Sequence, residues 1–272
     1  MSDSPEQETN LNVRLSREGR VATLVVDRPP LNILDLATLA ELGRAVEGLA
    51  GEIAAKIEGD GDDLAVLVVR GGGEKAFSAG VAVEDHTPDK VESMLRLFHS
   101  ALEALRRLPV ITVAAVRGHC LGGGMELALA CDLVLAEESS RFGQPEVKLG
   151  CFPPYAAALL PGRIGTGRTL ELLASGRLMR AAEAEGLGIV TRTVPDGELE
   201  AGLEEMLAGF TAHSSAVLRV LKAAVAAGER LPFPDALTEA ERLYNEDLCR
   251  LGDMHEGLAA FLEKRPPEWR HG

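Results

Sequence analysis

The sequence predicts an α/β core followed by a helical C-terminal region. Short apolar, β-branched runs alternate with amphipathic stretches in the first half of the chain, whereas long amphipathic stretches dominate after residue 155. Strand–helix alternation is typical of a layered α/β architecture. The chain has 272 residues, of which 46% are hydrophobic, so it is long enough for one large domain or two small ones.

The predicted strands are short runs that end in turn-type or charged residues. The three strong predictions are Val21–Val26, Leu64–Val69 and Val110–Val116. A weaker strand is predicted at Leu133–Ala136, and one more in the second half of the chain at Ile189–Val194. A helix is predicted over Asp35–Lys56 from the apolar spacing, with Asp35 as its N-cap. A second helix is predicted over His86–Leu108, which Pro109 ends.

We predict three segments along the chain, with no low-complexity linker between them. Residues 1–10 form a disordered N-terminal tail, residues 11–195 the α/β core, and residues 196–272 the helical region. The last segment depends on three amphipathic stretches: Glu198–Ala212, Ala216–Ala227 and Pro234–Arg265.

Composition narrows the class of protein. The net charge of -14 repels a phosphate backbone, so nucleic acid is not an expected partner. The four cysteines have no C-x-x-C pair and no metal-type spacing, which favours a reducing compartment and predicts no metal site. The polar, acidic start is unlike a signal peptide, and no apolar run is long enough to span a bilayer. We therefore expect a cytoplasmic protein that does not bind membranes.

Two glycine-containing turns follow predicted strands. Gly122-Gly123-Gly124 precedes the apolar helical run Leu127–Ala130, and Lys75–Gly80 follows the strand at Leu64–Val69. Uncovered N–H groups at a helix N-terminus favour partial negative charge on an oxygen held there. Two such turns on neighbouring strands can present two N–H groups to one carbonyl oxygen, which is an oxyanion hole.

Two carboxylates stand near the glycine turn. Glu126 interrupts an apolar helix start, and Glu146 follows Pro145. Hydration of an α,β-unsaturated thioester needs one group to take a proton from water and another to give a proton to carbon. Two carboxyl groups in a desolvated pocket can do both, because burial and mutual repulsion push their pKa values apart.

Each of these features also has a plain structural interpretation. The glycines can serve packing and capping, Glu126 can favour the helix dipole, and Glu146 can be a solvated loop residue. Two other motifs are near misses. Gly162–Thr169 has Walker A spacing with Arg168 in place of lysine, and Ala76–Gly80 lacks the first glycine of a nucleophile elbow.

Several ordered motifs resemble the crotonase superfamily, the enoyl-CoA hydratase/isomerase type. The signature-like segments are Ala115–Asp132 and Phe142–Gly150. The resemblance covers nearly the whole chain through further motifs at Asp27–Asn32, Lys75–Gly80, Leu173–Gly176 and Glu256–Arg265.

This resemblance implies a spiral of ββα units whose helical C-terminal region forms a homotrimer, or a dimer of trimers. It also implies an acyl-CoA thioester substrate, with CoA as part of the substrate and with no metal or redox cofactor. Glu126 and Glu146 match the two hydratase glutamates, and the N–H groups of Ala79 and Gly123 match the oxyanion hole. The matched substrate- or CoA-binding positions are Ala76, Ser78, Gly80, Val81, Gly122, Phe261 and Lys264; the last two reach the CoA nucleotide of a neighbouring subunit.

Two departures from straight-chain hydratases bear on the substrate. Val81-Ala82 replaces a segment that usually carries Asp, and Cys151–Ala158 replaces a glycine-rich segment. The turn Glu84-Asp85-His86 and the run Gly150–Pro154 are similar to the subgroup that hydrates cyclohexa-1,5-diene-1-carbonyl-CoA. The resemblance therefore implies hydration of an enoyl- or dienoyl-CoA thioester, with that cyclic diene as the expected substrate.

Other functions stay open at this point. Within the superfamily they are a straight-chain enoyl-CoA hydratase, an isomerase, a decarboxylase or a ring-cleaving hydrolase; the presence of both glutamates favours hydration. Outside catalysis, a non-catalytic acyl-CoA-binding or RNA-binding protein is the alternative, and the acidic charge disfavours RNA. Contact of Cys151, His119 or Tyr155 with the acyl group is also open.

Overall fold

The apolar runs of the sequence form strands that join into two sheets. The structure, a computed structural model, describes residues 11–59 and 61–272, so the predicted tail at residues 1–10 lies outside the described residues. In chain order the strands are β1 (Val13–Glu18), β2 (Val21–Val26), β3 (Val66–Gly71), β4 (Ala76–Ser78), β5 (Ile111–Val116), β6 (His119–Leu121), β7 (Leu133–Glu137), β8 (Arg141–Gly143), β9 (Leu178–Arg180) and β10 (Arg192–Val194).

The large sheet has the order β1-β2-β3-β5-β7-β10, and the small sheet has the order β4-β6-β8-β9. Only the β1–β2 pair of the large sheet is antiparallel. A strand of the large sheet is followed three times by a short strand of the small sheet and then by a helical segment. This repeated order confirms the predicted spiral of ββα units.

The helices are α1 (Leu36–Glu58), α2 (Val91–Arg107), α3 (Gly123–Leu129), α4 (Pro154–Ile164), α5 (Thr166–Ser175), α6 (Ala181–Gly186), α7 (Leu199–Thr211), α8 (Ser215–Arg230), α9 (Phe233–Arg242) and α10 (Gly252–Glu263). The predicted N-cap of α1 is confirmed, because the Asp35 carboxylate accepts a hydrogen bond from Thr38 N at 2.9 Å. Helix α2 begins at Val91 rather than at His86, because residues 86–90 form a bend and a turn before it.

Two predictions about the second half were wrong in extent. The N–H groups of Ile189 and Val190 both donate to Ala184 O, so they close α6 instead of pairing in a strand. The stretch Pro234–Arg265 is not one helix, because Leu243–Arg250 forms a π turn and a 3-10 turn between α9 and α10.

The large sheet is buried on both faces. One core lies between the sheet and helices α1 and α2 and includes Leu42, Phe98 and Leu102. The other lies against α7 and α8 and includes Leu135 and Leu203. Within the described ranges, no helix combines the length and apolar character that a membrane span requires. Because β3 and β5 are parallel neighbours, and β4 and β6 pair in the same way, the two glycine turns that follow β4 and β6 lie side by side.

Candidate active site

The turns that follow β4 and β6 touch through their backbones. Gly80 has φ +107°, and a Cβ on it would lie 3.1 Å from Leu121 O and 3.4 Å from Gly123 N. A Cβ on Gly124 would lie 2.2 Å from Ser78 O. Only glycine permits backbones to approach this closely, so these positions set the spacing between the turns.

Gly123 is the first residue of α3, where N–H groups have no partner within the helix. The N–H of Gly123 is therefore available for the oxyanion hole that the sequence predicts. The prediction for the other turn was wrong: the N–H of Ala79 donates to Leu31 O at 2.9 Å. That N–H is turned away from the cavity and is already used.

The backbone of Val81 differs from that of Ala79 in its hydrogen bonds. On either side of Val81, Gly80 O accepts from Leu34 N and Ala82 N donates to Leu34 O, at 2.9 and 3.0 Å. In such a bridge the intervening N–H faces the opposite side, and among the described residues the N–H of Val81 has no acceptor. A Cβ on Gly123 would lie 2.7 Å from Val81 Cγ2, so the two residues are neighbours. The N–H of Val81 is therefore available beside Gly123, whereas that of Ala79 is not.

Glu126 lies in the first turn of α3, and only 3% of its surface is exposed. Its Oε1 accepts a hydrogen bond from Ala156 N at 2.9 Å, at the N-terminus of α4. Burial raises the pKa of the Glu126 carboxyl from 4.5 to about 7; the bond from Ala156 opposes this rise and the charge of Glu146 adds to it. Glu126 therefore holds a proton up to about neutral pH.

Glu146 lies in a 3-10 turn over Pro145–Leu149 and is half-buried. A Cβ on Gly122 would lie 2.7 Å from Glu146 Oε1, so that glycine makes room for the carboxylate. With its amide oriented to satisfy its surroundings, Gln144 Nε2 lies 3.1 and 3.2 Å from the two carboxylate oxygens. Burial raises the pKa of Glu146, although the nearby His86 opposes this rise.

These groups surround a cavity of about 430 Å³. One wall is apolar and comes mainly from α2: Val83, Val91, Met94, Leu95 and Phe98. The run Leu149–Pro154 also lines the cavity, and Leu149 and Phe152 within it are exposed. The titratable groups that line the cavity are Glu126, Glu146, His86 and Cys151. An apolar cavity with a few convergent polar groups is the usual form of a small-molecule site.

The other predicted site residues fall into three groups. Gly80, Val81 and Gly122 line the cavity, as does Ala79. Ala76 and Ser78 are buried in β4 and do not line the cavity, and the Ser78 hydroxyl donates to Asn32 O at 2.7 Å. Phe261 and Lys264, at the end of α10, do not line this cavity.

Sequence reasoning missed two residues that touch this site and left three others open. Gln144 belongs to the segment Phe142–Gly150 and His86 to the turn Glu84-Asp85-His86. Neither sequence pattern indicates which side chains contact the site. Among the residues left open, Cys151 lines the cavity, whereas His119 is exposed outside it and Tyr155 does not line it. Within the described chain, no group of three His, Cys, Asp or Glu side chains has the arrangement of a metal site.

Comparison with known proteins extends over nearly the whole chain. Residues 16–272 match the family Enoyl-CoA hydratase/isomerase. The cyclohexa-1,5-dienecarbonyl-CoA hydratase of Thauera aromatica is 35% identical over 268 residues, covering 98% of this chain and 99% of that protein. The short-chain-enoyl-CoA hydratase of Clostridium acetobutylicum is 30% identical over 262 residues, covering 94% and 97% of the two chains. The crystal structure of enoyl-CoA hydratase from Bacillus anthracis superposes with a TM-score of 0.86 at 30% identity, covering 96% and 100%.

Proposed function

The chain belongs to the enoyl-CoA hydratase/isomerase (crotonase) family and is a hydro-lyase of the enoyl-CoA hydratase type, and on this premise we propose that it hydrates cyclohexa-1,5-diene-1-carbonyl-CoA. The relative from Thauera aromatica, whose name gives that activity, supports this substrate. The single observation that carries the chemistry is the carboxyl pair Glu126 and Glu146, which line one cavity beside the N–H groups of Val81 and Gly123.

In the proposed mechanism the thioester oxygen lies between the N–H groups of Val81 and Gly123. These donors stabilise the charge that develops when the thioester becomes an enolate, by about 3–4 kcal/mol for a well-placed donor. Burial raises the pKa of Glu126 to about 7 and also raises the pKa of Glu146, so Glu126 still carries a proton in part of the molecules near neutral pH. One carboxylate accepts a proton from the bound water, and the other carboxyl group gives a proton to carbon.

The proposed assembly is a homotrimer, or a dimer of such trimers. Helix α10 supports this, because Leu258, Phe261 and Leu262 are 57%, 81% and 79% exposed in the single chain. A surface of this kind is typical of a subunit contact. In this proposal Phe261 and Lys264 contact the CoA nucleotide bound to a neighbouring subunit, and the reaction uses no metal or redox cofactor.

The test is a spectrophotometric hydration assay of the purified protein with cyclohexa-1,5-diene-1-carbonyl-CoA beside crotonyl-CoA. We expect rapid loss of the conjugated diene and slow turnover of crotonyl-CoA. Turnover of crotonyl-CoA alone would contradict the cyclic substrate and indicate straight chains. Activity on neither thioester would contradict hydration as the function of this site.

A further inference from the structure

The motif Asp27–Asn32 supplies no group to the proposed chemistry, although its last residue is fully buried. Asn32 is 0% exposed and has a left-handed backbone conformation with φ +53°. It does not line the cavity. Burying an amide costs free energy unless hydrogen bonds replace its contacts with water. The hydrogen-bond partners of Asn32 therefore indicate what the residue does.

The side chain of Asn32 joins three segments of backbone. Its Nδ2 donates to Gly72 O at 2.9 Å, just after β3, and to Ala76 O at 2.8 Å, at the start of β4. A longer contact joins Nδ2 to Phe77 O at 3.3 Å. Its Oδ1 accepts from Arg28 N at 3.0 Å. The amide thus bonds through both its nitrogen and its oxygen, and it fixes the start of β4 relative to the end of β3.

The backbone of Asn32 extends this network into the turn that follows β4. Its carbonyl oxygen accepts from the Ser78 hydroxyl at 2.7 Å, and that hydroxyl accepts from Gly80 N at 3.2 Å. Because the peptide unit between Gly80 and Val81 is planar, the conformation of Gly80 sets the direction of the Val81 N–H. The Ser78 hydroxyl therefore connects Asn32 with the direction of that N–H.

The residues on either side of Asn32 bind the same turn. Leu31 O accepts from Ala79 N at 2.9 Å. Leu34 O accepts from Ala82 N at 3.0 Å. Asn32 lies between these two attachment points, so its side chain fixes the segment against which the turn is aligned.

We propose that Asn32 is a positioning residue of the oxyanion hole, which aims the Val81 N–H at the thioester oxygen through the turn after β4. This inference rests on the proposed function and concerns the same site. Asn32 acts on the geometry of the donor and not on the substrate itself. A misplacement of about 1 Å in a catalytic site can lower the rate roughly 100-fold.

The first test is Asn32→Gly. Glycine accepts φ +53° and keeps the carbonyl oxygen that Ser78 uses, so the change removes only the side-chain amide. We expect kcat on cyclohexa-1,5-diene-1-carbonyl-CoA to fall roughly 100-fold. Because a misplaced donor weakens the transition state more than the ground state, we expect KM to change by less than about threefold.

A spectroscopic probe separates the position of the donor from a loss of stability. In 4-(dimethylamino)cinnamoyl-CoA, hydrogen bonds that polarise the carbonyl move the absorption to longer wavelength. We expect wild-type protein to produce this red shift in the bound probe and folded Asn32→Gly to produce a smaller one. A purely structural role would lower the midpoint of urea unfolding and leave the red shift unchanged. A wild-type red shift in Asn32→Gly would therefore overturn the proposal.

Ser78→Ala interrupts the same connection without changing Asn32, and it decides the matter if Asn32→Gly does not fold. We expect a smaller red shift and a loss in kcat of roughly tenfold. The matched control is Ser140→Ala, which removes a buried hydroxyl that donates to Val116 O at 3.3 Å and does not line the cavity. In that case, equal red shifts in the two serine variants would overturn the proposal.

Failure of the proposed function is distinguishable from failure of this inference. It appears as wild-type protein that does not hydrate the diene, whereas the red shift of the bound probe requires no turnover.

Discussion

The two carboxylates of the cavity lie in regions that hold them in different ways. The inner region comprises the first turn of α3 and the N-terminus of α4, where Glu126 is 3% exposed and bonded to a backbone N–H. The outer region comprises Pro145–Pro154, where Glu146 is half-buried and is followed by the exposed Leu149 and Phe152. Both glutamates belong to the matched motif, but their surroundings differ in burial and in hydrogen-bond partners.

This difference indicates a division between general chemistry and selectivity. Two helices hold the inner region in place. The backbone of Glu126 belongs to the first turn of α3, and its carboxylate accepts a hydrogen bond from the N-terminus of α4. The outer region is a 3-10 turn followed by the loop that leads into α4, and its residues line the cavity. Residues on loops vary more readily than the scaffold that positions them. We therefore expect substitution of Glu126 or Glu146 to lower turnover on every thioester, and substitution of Leu149 or Phe152 to change the choice of thioester.

The largest effect is expected for Glu126→Gln. The amide oxygen can still accept from Ala156 N, so the fold is kept, but the side chain no longer exchanges a proton. We expect kcat to fall by roughly 1,000-fold, within the usual range for loss of a general acid or base. Steady-state hydration assays measure this, with the exposed Glu138→Gln as control. A Glu126→Gln protein with near-normal kcat would remove the proposed role of the inner carboxyl.

The donor assigned to Val81 can be tested by replacing its peptide N–H with an ester oxygen. We expect kcat to fall by about 100- to 1,000-fold, as for loss of one oxyanion donor. The same replacement at Ala79 is the matched control. There the lost bond is the one to Leu31 O, so we expect destabilisation of about 1 kcal/mol and little change in kcat. The reverse pattern would return the role to Ala79.

Local features of both the fold and the site could be predicted from sequence. The glycine run, Glu126 and the N-cap Asp35 are local patterns with a direct physical meaning, and β2 was predicted to the residue. The three-residue strands β4, β6 and β8 could not be predicted, because they are too short to show periodicity and depend on pairing with distant segments. The choice between Ala79 and Val81 failed for a related reason. The N–H that faces the cavity is determined by the hydrogen bonds of the turn with Leu31 and Leu34. The sequence of the turn alone does not predict that pairing.

The raised pKa of Glu126 also predicts an effect on stability. A carboxyl whose pKa rises from 4.5 to about 7 on folding stabilises the native state fully below pH 4.5, and this contribution is lost as the pH rises through about 7. Glu126→Gln removes that dependence. We expect the variant to gain about 2–3 kcal/mol relative to wild type between pH 4.5 and pH 8. Urea unfolding at both pH values and one protein concentration measures this, with Glu138→Gln as control. A constant difference between variant and wild type would show that folding does not raise the pKa of Glu126.

The smallest effect is expected where the two regions meet, at Gly122. An alanine there would place Cβ 2.7 Å from Glu146 Oε1 and would require a side chain at φ +54°. We expect Gly122→Ala to move the outer carboxylate and to lower kcat/KM by roughly tenfold, about 1.4 kcal/mol. Gly165→Ala is the control for backbone strain alone, because Gly165 has φ +83° with no atom within 4 Å of its Cβ position and lies outside the cavity lining. Equal losses in the two variants would mean that Gly122 serves the turn and not the carboxylate. A loss confined to Gly122→Ala would show that an inner glycine sets the position of the outer acid.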